Sequence, residues 1–299
     1  MKSPNPEERD ALHLAIEYAK KVNADIVLGT DSDCDRVGVA VRNLEGEYIL
    51  LTGNQIGALL TNYIISHMED IKPQDTVIKT IVTSDLGAKI AKSYGLCVIE
   101  TLTGFKYIGE KIKEFESTGS NNFVLGYEES YGYLAGTFVR DKDAVIATML
   151  IVEMAAYYKN KRLTLLDELN NIYRKYGFYS DYQESYKFEG IEGNNKIRSI
   201  MNKFRKLESL LTCFKDIDVI EDYNYQERLF IKTNHKEMID LPKSNVIKIF
   251  FKDKSWFAIR PSGTEPKLKV YYSSVGSTSS ESLNKLNQLR ALVRDYLNN

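Results

Sequence analysis

The chain has 299 residues, 43% of them hydrophobic and 27% charged, with a formal net charge of −1. This length holds two or three domains of ordinary globular composition, and the near-neutral balance excludes a global field that would draw the protein to nucleic acid or a membrane surface. No apolar run approaches the ~20 residues of a membrane span, and the opening MKSPNPEERD lacks the apolar core of a signal peptide. Cys34, Cys97 and Cys213 are too far apart for a zinc site or a disulfide framework. The expectation is a cytoplasmic protein with no nucleic-acid or membrane partner.

PNPEERDALHLAIEYAKKVNA reads as a helix, with Pro6 near its first turn and Lys20 and Lys21 in its last. Leu12, Ala15, Ile16, Ala19 and Val22 recur at helical spacing. DIVLGT and RVGVAV then read as strands around a turn, and GNQIGALLTNYIISHM as a second helix. The chain thus enters almost at once on a helix and a strand, which reads as a start in mid-domain. From about residue 75 strand and helix alternate: TVIKTIV, DLGAKIAKSYG, CVIETL, FKYIGEKIKEFES and NFVLGY. The helices DAVIATMLIVEMAAYYKN and TLLDELNNIYRKYG follow. That order predicts an α/β layer with a parallel sheet, whose ligands gather at the carboxyl ends of the strands.

Near residue 190 the style changes. GNNKIRSIMNKFRKL is a basic amphipathic helix; VIKIFF, SWFAIR and KLKVYY are strands; ESLNKLNQLRALVRDYL is a closing helix. This predicts a separate small α+β domain, entered through the glycine-bearing FEGIEGNN. The basic helix is not interleaved with aromatics and gives nucleic-acid binding little support.

Three constellations carry chemistry. In LGTDSDCDRVGVAV, Asp31, Asp33 and Asp35 alternate in one turn. Carboxylates held so close repel one another, and a divalent cation with a preference for oxygen, Mg2+ or Ca2+, removes that cost. An EF-hand would need Gly and Glu where Arg36 and Arg42 stand, and helical flanks in place of strands. A solvated acidic turn is the plain alternative. In VLGYEESYGYLAGTFVRDKDAV, Gly126, Gly132 and Gly136 permit a tight loop. Glu128 and Ser130 share one side of an extended segment and can grip vicinal sugar hydroxyls, with Arg140 and Lys142 available to a phosphate. An acidic surface turn explains that stretch as well. LTGFKYIGEK places Gly104 and Lys106 in a similar glycine turn, which a plain helix start also explains. In WFAIRPSGTEPKLKVYY, Arg260, Ser262, Gly263, Thr264 and Lys267 bring phosphate-compatible donors into one loop stiffened by Pro261 and Pro266.

In combination these motifs resemble the α-D-phosphohexomutase family of phosphoglucomutases and phosphomannomutases. The family's D-x-D-x-D-R metal loop is matched by Asp31, Asp33, Asp35 and Arg36, its sugar loop by Glu128, Glu129 and Ser130, and its R-P-S-G-T-E-P loop by residues 260–266. The resemblance implies α/β domains with mixed sheets followed by a small α+β domain. It also implies that residues 1–71 are the end of domain 2, 72–189 domain 3 and 190–299 domain 4. It further implies interconversion of hexose 1-phosphate and hexose 6-phosphate through a Mg2+-bound phosphoserine and glucose 1,6-bisphosphate. The serine loop, similar to T-A-S-H-N-P, is not found in this chain, and Ser3 in SPNP is a superficial echo. The expected partner is therefore a missing N-terminal half of the same protein, and the isolated chain is expected to be inactive. Family members that carry a histidine two residues past the loop serine have Gly132 at that position here, so the acid–base group is open, with Lys142 a candidate. Arg36 either braces the phosphoserine site or pairs with its own aspartates. Phosphomannomutase, phosphopentomutase and a non-catalytic phosphosugar-binding module are the alternatives.

Overall fold

A computed structural model describes residues 4–188, 190–263 and 265–298; Ser3 and Thr264 lie outside the described residues. The chain divides by contacts into two compact units, Met1–Tyr176 and Gly177–Asn299.

The first unit opens with α1 (Arg9–Val22), the hairpin β1 (Ile26–Thr30) and β2 (Val37–Arg42), and β3 (Tyr48–Leu50). These strands form an antiparallel sheet in the order β1-β2-β3. Leu12, Ile16 and Ala19 of α1 pack with Val27, Ala40 and Tyr48. Ala15 and Val22, expected on the same stripe, are exposed, because the buried stripe is narrower than the apolar pattern. Asn23 closes the helix in the left-handed region, with its N–H bonded to Ala19 O.

α2 (Gly53–Ser66) follows, entered through a reciprocal capping box between Thr52 and Gln55. β4 (Asp75–Thr80), α3 (Asp85–Ser93), β5 (Cys97–Thr101), α4 (Phe105–Thr118), β6 (Asn122–Glu128) and β7 (Gly132–Ala135) complete a second sheet in the order β5-β4-β6-β7. β4 is parallel to both β5 and β6, and β7 returns antiparallel. Chain order reverses around β4, so the carboxyl ends of β4, β5 and β6 form a switch point of the kind that binds ligands. Ile78, Phe105, Ile108, Ile112, Phe115 and Leu134 make a core under this sheet, each fully buried large side chain contributing about 1.5–3 kcal/mol. α5 (Ala144–Asn160), capped by the Asp143 carboxylate on Val145 N and Ile146 N, and α6 (Leu165–Tyr176) close the unit.

The second unit begins with β8 (Phe178–Lys187), a strand the sequence reading did not contain. α7 (Gly190–Phe204), α8 (Leu207–Cys213), β9 (Ile217–Asp222), β10 (Glu227–Phe230), β11 (His235–Met238), β12 (Ile247–Phe251), β13 (Trp256–Pro261), β14 (Lys267–Gly276) and α9 (Ser279–Asn298) follow. Its sheet runs β11-β10-β9-β12-β13-β14-β8. Strands and helices are mixed as expected of an α+β unit. The expected border at 189/190 differs from the contact border at 176/177 because β8 pairs along its whole length with β14 and belongs to this sheet. No helix among the described residues is long and apolar enough to cross a membrane.

Candidate active site

Two loops of the first unit are bound to each other by backbone. The β1–β2 turn carries the three aspartates, and Glu128 at the end of β6 leads into the β6–β7 turn with Glu129 and Ser130. Val37 N donates to Tyr131 O at 3.2 Å, and Arg36 forms an isolated antiparallel bridge with Gly132. Ala144 N donates to Cys34 O at 3.1 Å, which ties the start of α5 to the same turn. Tyr131, at φ 66°, and Cys34, at φ 58°, take the left-handed conformations these turns need. The glycines expected to make the sugar loop tight do other work: Gly126 and Gly132 are strand residues, and only Gly136 has a positive φ.

The aspartate ligand atoms of Asp31, Asp33 and Asp35 all lie within 4.8 Å of one another. Asp31 is buried and highly engaged: its Oδ1 accepts Asp35 N at 3.1 Å and Arg36 N at 3.0 Å, and its Oδ2 accepts Arg36 Nε at 2.6 Å. Burial opposes ionisation of Asp31, but the Arg36 hydrogen bonds and charge outweigh it and hold its carboxyl below the usual range. Asp35 moves the other way: burial and the Asp31 charge raise it, although Lys142 Nζ at 2.8 Å opposes the rise. Arg36 also meets Glu7 at 3.1 Å, so its pairing to its own aspartates and to Glu7 is what the geometry contains. Asp33 is exposed and makes no side-chain hydrogen bond or ion pair among the described residues. Three clustered carboxylates, all oxygen donors, fit a hard divalent cation such as Mg2+.

Glu128 ends β6 almost fully buried, with Gly104 N donating to its Oε1 at 2.8 Å. Burial, reinforced by the neighbouring Glu129 charge, pushes its carboxyl up to about 7. Gly104, at φ 118°, is the residue before α4, a backbone conformation that favours glycine. The Glu129 carboxylate turns elsewhere, accepting Thr80 Oγ1 at 3.2 Å and Thr83 Oγ1 at 3.0 Å at the end of β4. Beneath that turn Lys79 is fully buried, with Nζ 2.7 Å from Glu100, 3.0 Å from Asp85 and 3.0 Å from Thr83 O. Burial alone would neutralise this lysine, but the two carboxylates raise its pKa and keep it charged. Thr80, Thr83 and Lys79 hold the Glu129 end of this turn and were not singled out from the sequence; a lysine within the apolar TVIKTIV was the available signal.

Lys142 joins the two loops. Its Nζ contacts Asp35 at 2.8 Å and Asp141 at 3.1 Å, and its alkyl chain fills the space beside Gly132, where any Cβ would overlap Lys142 Cδ. Two other expected site residues are not brought to this cluster by any contact. Arg140 is exposed and pairs with Glu116 at 2.5 Å, and Lys106 is exposed with its Nζ 4.7 Å above the Tyr107 ring. Ser130 is half-buried in the β6–β7 turn.

In the second unit the β13–β14 turn holds the third motif. Arg260 stands opposite Lys269 in the β13–β14 register, and Ser262 N donates to Lys267 O at 2.7 Å. Lys267 pairs with Glu265, whose carboxyl is lowered first by that lysine and then by the charges of Lys187 and Lys269. Gly263 is exposed with open space around it. The strand ends thus gather cations around an exposed turn, an arrangement suited to an anion.

The same three motifs are where similarity to known proteins falls. The family model for phosphoglucomutase/phosphomannomutase α/β/α domain II matches residues 1–46, that for α/β/α domain III residues 52–176, and that for the C-terminal domain residues 205–288. A phosphoglucomutase of Staphylococcus haemolyticus is 42% identical over 274 residues, which cover 91% of this chain and 49% of the relative. One of Staphylococcus aureus is 41% identical over 273 residues, again 49% of its length. The chain thus spans about half the length of the curated relatives it matches. Among solved structures, parafusin of Paramecium in its open form aligns with a TM-score of 0.70 at 16% identity, over 98% of this chain and 50% of that one. A phosphoglucomutase/phosphomannomutase family protein of Burkholderia thailandensis aligns at 0.57 and 15%, over 98% and 51%; at such identities these two speak for the fold alone. With consecutive domain models covering most of its length in the family's order, the chain belongs to the phosphoglucomutase/phosphomannomutase family.

Proposed function

We propose that this chain is the metal-, sugar- and phosphate-binding part of a cytoplasmic phosphoglucomutase, which interconverts glucose 1-phosphate and glucose 6-phosphate by way of glucose 1,6-bisphosphate. The observation that carries the reading is the backbone junction of the aspartate turn to the Glu128–Ser130 turn, with Lys142 touching Asp35 between them. Glucose is preferred over mannose or a pentose because the relatives above 40% identity are named phosphoglucomutase.

In this reading Asp31, Asp33 and Asp35 hold Mg2+. When bound, that ion supplies positive charge to a phosphoryl group in transfer, where positioning and electrostatics dominate the barrier. Glu128 and Ser130 orient the sugar through its hydroxyls, and the Gly104 amide fixes one oxygen of Glu128 so that the other is directed to the substrate. Lys142, kept protonated by Asp35 and Asp141 against the effect of burial, supplies the proton that a leaving sugar oxygen takes up, and Arg36 braces the phosphoryl donor. Arg260, Ser262, Gly263, Thr264 and Lys267 hold the phosphate that is not reacting, and Arg140 and Lys106 contribute only if they leave their present contacts. The phosphoserine donor lies on polypeptide outside these 299 residues, so the chain alone binds but does not turn over.

The test is calorimetric titration of the chain with glucose 1-phosphate in Mg2+, alongside a coupled assay for glucose 6-phosphate. Binding that Ser130→Ala and Arg260→Ala each weaken, without turnover, is expected. Turnover by these residues alone, or no binding at millimolar sugar phosphate, would sink the reading.

A further inference from the structure

The β6–β7 turn has a second backbone contact besides the one to the aspartate turn. It lies against the first residue of α2. A Cβ built on Gly53 would stand 2.1 Å from Glu129 O, 2.8 Å from Glu129 C and 2.9 Å from Tyr131 N. All three atoms are backbone, so no side-chain rotation could make room. Nor does the local conformation ask for a glycine there. Gly53 begins a regular helix and is not among the residues with a positive φ, and glycine is a poorer helix former than alanine. What the missing side chain permits is the close approach of the turn.

The start of α2 is itself fixed. Thr52 N donates to Gln55 Oε1 at 2.9 Å, and Gln55 N donates to Thr52 Oγ1 at 3.2 Å. Gln55 Nε2 donates to the Tyr173 hydroxyl of α6 at 3.2 Å, and the Tyr133 hydroxyl of β7 donates to Gly53 O at 3.0 Å. Next along α2, Asn54 Oδ1 accepts Ser84 N at 3.1 Å. Ser84 follows Thr83, whose hydroxyl donates to the Glu129 carboxylate. The contacts therefore close a ring. α2 seats the Glu129 backbone, the β4–α3 turn seats the Glu129 side chain, and Asn54 joins the two seats.

We propose that Gly53 is a positioning residue for sugar recognition. By lacking a side chain it sets where the Glu129 backbone rests, and so where the flanking Glu128 and Ser130 are presented. The role in sugar binding rests on the mutase reading; the seat does not. A methyl group at position 53 must lift Glu129 away from Thr80 and Thr83 or draw α2 off its bonds to Ser84 and Tyr133. The aspartate turn is held separately, because Asp31 is bonded to Asp35 N, Arg36 N and Arg36 Nε within its own loop. The loss should therefore fall on the sugar and not on the cation.

The experiment is calorimetric titration of the native, Gly53→Ala and Tyr133→Phe chains with Mg2+ alone and with glucose 1-phosphate in Mg2+, together with their backbone amide NMR spectra. Gly53→Ala should weaken glucose 1-phosphate by about tenfold or more, the worth of one or two hydrogen bonds to the sugar. It should shift the amides of Ser130 and Tyr131 and leave the affinity for Mg2+ alone unchanged. Tyr133→Phe removes a bond to Gly53 O but leaves the seat, so it should lose stability and keep its sugar affinity. If Gly53→Ala does not fold, Thr83→Val gives the test: it frees the Glu129 carboxylate and should weaken the sugar, and Thr83→Ser should restore it. Gly53→Ala with native sugar affinity and unshifted amides overturns the proposal. So does a loss of Mg2+ affinity in step with sugar affinity, which would mean a general loss of structure, or a Thr83→Ser chain no better than Thr83→Val. A native chain that does not bind glucose 1-phosphate sinks the mutase reading instead, and the amides of Ser130 and Tyr131 then decide the seat alone.

Discussion

Lys142 Nζ lies 2.8 Å from Asp35 Oδ2, so the lysine and any cation held by the aspartate turn share one carboxylate. The two uses of Asp35 compete. Lys142→Met should therefore raise the affinity of the chain for Mg2+ several-fold, read by titration calorimetry. In a reconstituted two-part enzyme the same change should lower kcat by about 10²–10⁴, the range for loss of a proton-transfer group. A variant that loses Mg2+ affinity would show that Lys142 supports the metal loop and does not compete with it.

Gly132 is the point where that lysine is seated. A Cβ there would overlap Lys142 Cδ, while the backbone of Gly132 bridges Arg36. Gly132→Ala must push the lysine off Asp35 and should cost about 1–3 kcal/mol of stability, the usual penalty of overpacking. Its effect on Mg2+ affinity should copy that of Lys142→Met, and a double variant should show less than additive change. Full additivity would mean that the glycine acts only through the backbone.

The alternation of aspartates, the Glu-x-Ser spacing and the RPSGTEP run were legible because each is a local pattern within one turn. So was the strand–helix alternation of residues 75–128, where apolar runs and glycine stops mark each element. What was not legible depends on distant partners. β8 alternates poorly, FYSDYQESYK, and is a strand because β14 pairs with it across the sheet. Arg140 follows the sugar loop in sequence, and only the tertiary structure pairs it with Glu116 on α4. Glu128 and Glu129 are adjacent in sequence, and only the tertiary structure sends one to Gly104 and the other to Thr80 and Thr83.

Lys79 should be the most stability-critical charge of the first unit. It is fully buried between Asp85 and Glu100 and holds Thr83 O, which fixes the turn that anchors Glu129. Removing one partner of such a buried pair costs about 3–5 kcal/mol. Lys79→Ala should lower the urea midpoint accordingly, and Lys79→Met should recover only the part due to packing. A loss below about 1 kcal/mol would mean that the half-exposed carboxylates already solvate the site adequately.

Glu128 gives the first unit a pH dependence with a definite sign. Its carboxyl is raised from 4.5 to about 7 by burial and by Glu129. Between those values the folded protein keeps a proton that the unfolded chain has released, so stability falls as pH rises through the window, by up to about 3 kcal/mol. Glu128→Gln cannot ionise and should remove this slope, so its stability relative to the native chain should improve steadily from about pH 4.5 to about pH 8. Denaturant midpoints of the two proteins across that range are the measurement. Parallel curves would show that Glu128 is ionised at an ordinary pH and well solvated in the folded state.

The aspartates should separate metal binding from folding. Asp31 accepts two backbone amides and the Arg36 side chain, so Asp31→Asn loses stability along with the ion. Asp33 is exposed and free of such bonds among the described residues. Asp33→Asn should therefore leave the denaturant midpoint unchanged and weaken Mg2+ by about 10- to 100-fold, as expected when one of few anionic oxygen ligands is neutralised. Mn2+ bound in place of Mg2+ and followed by paramagnetic relaxation would report the same loss without any enzymatic readout. If Asp33→Asn binds the ion as tightly as the native chain, the turn is held by Asp31 and Asp35 alone and the third carboxylate is a solvated surface group.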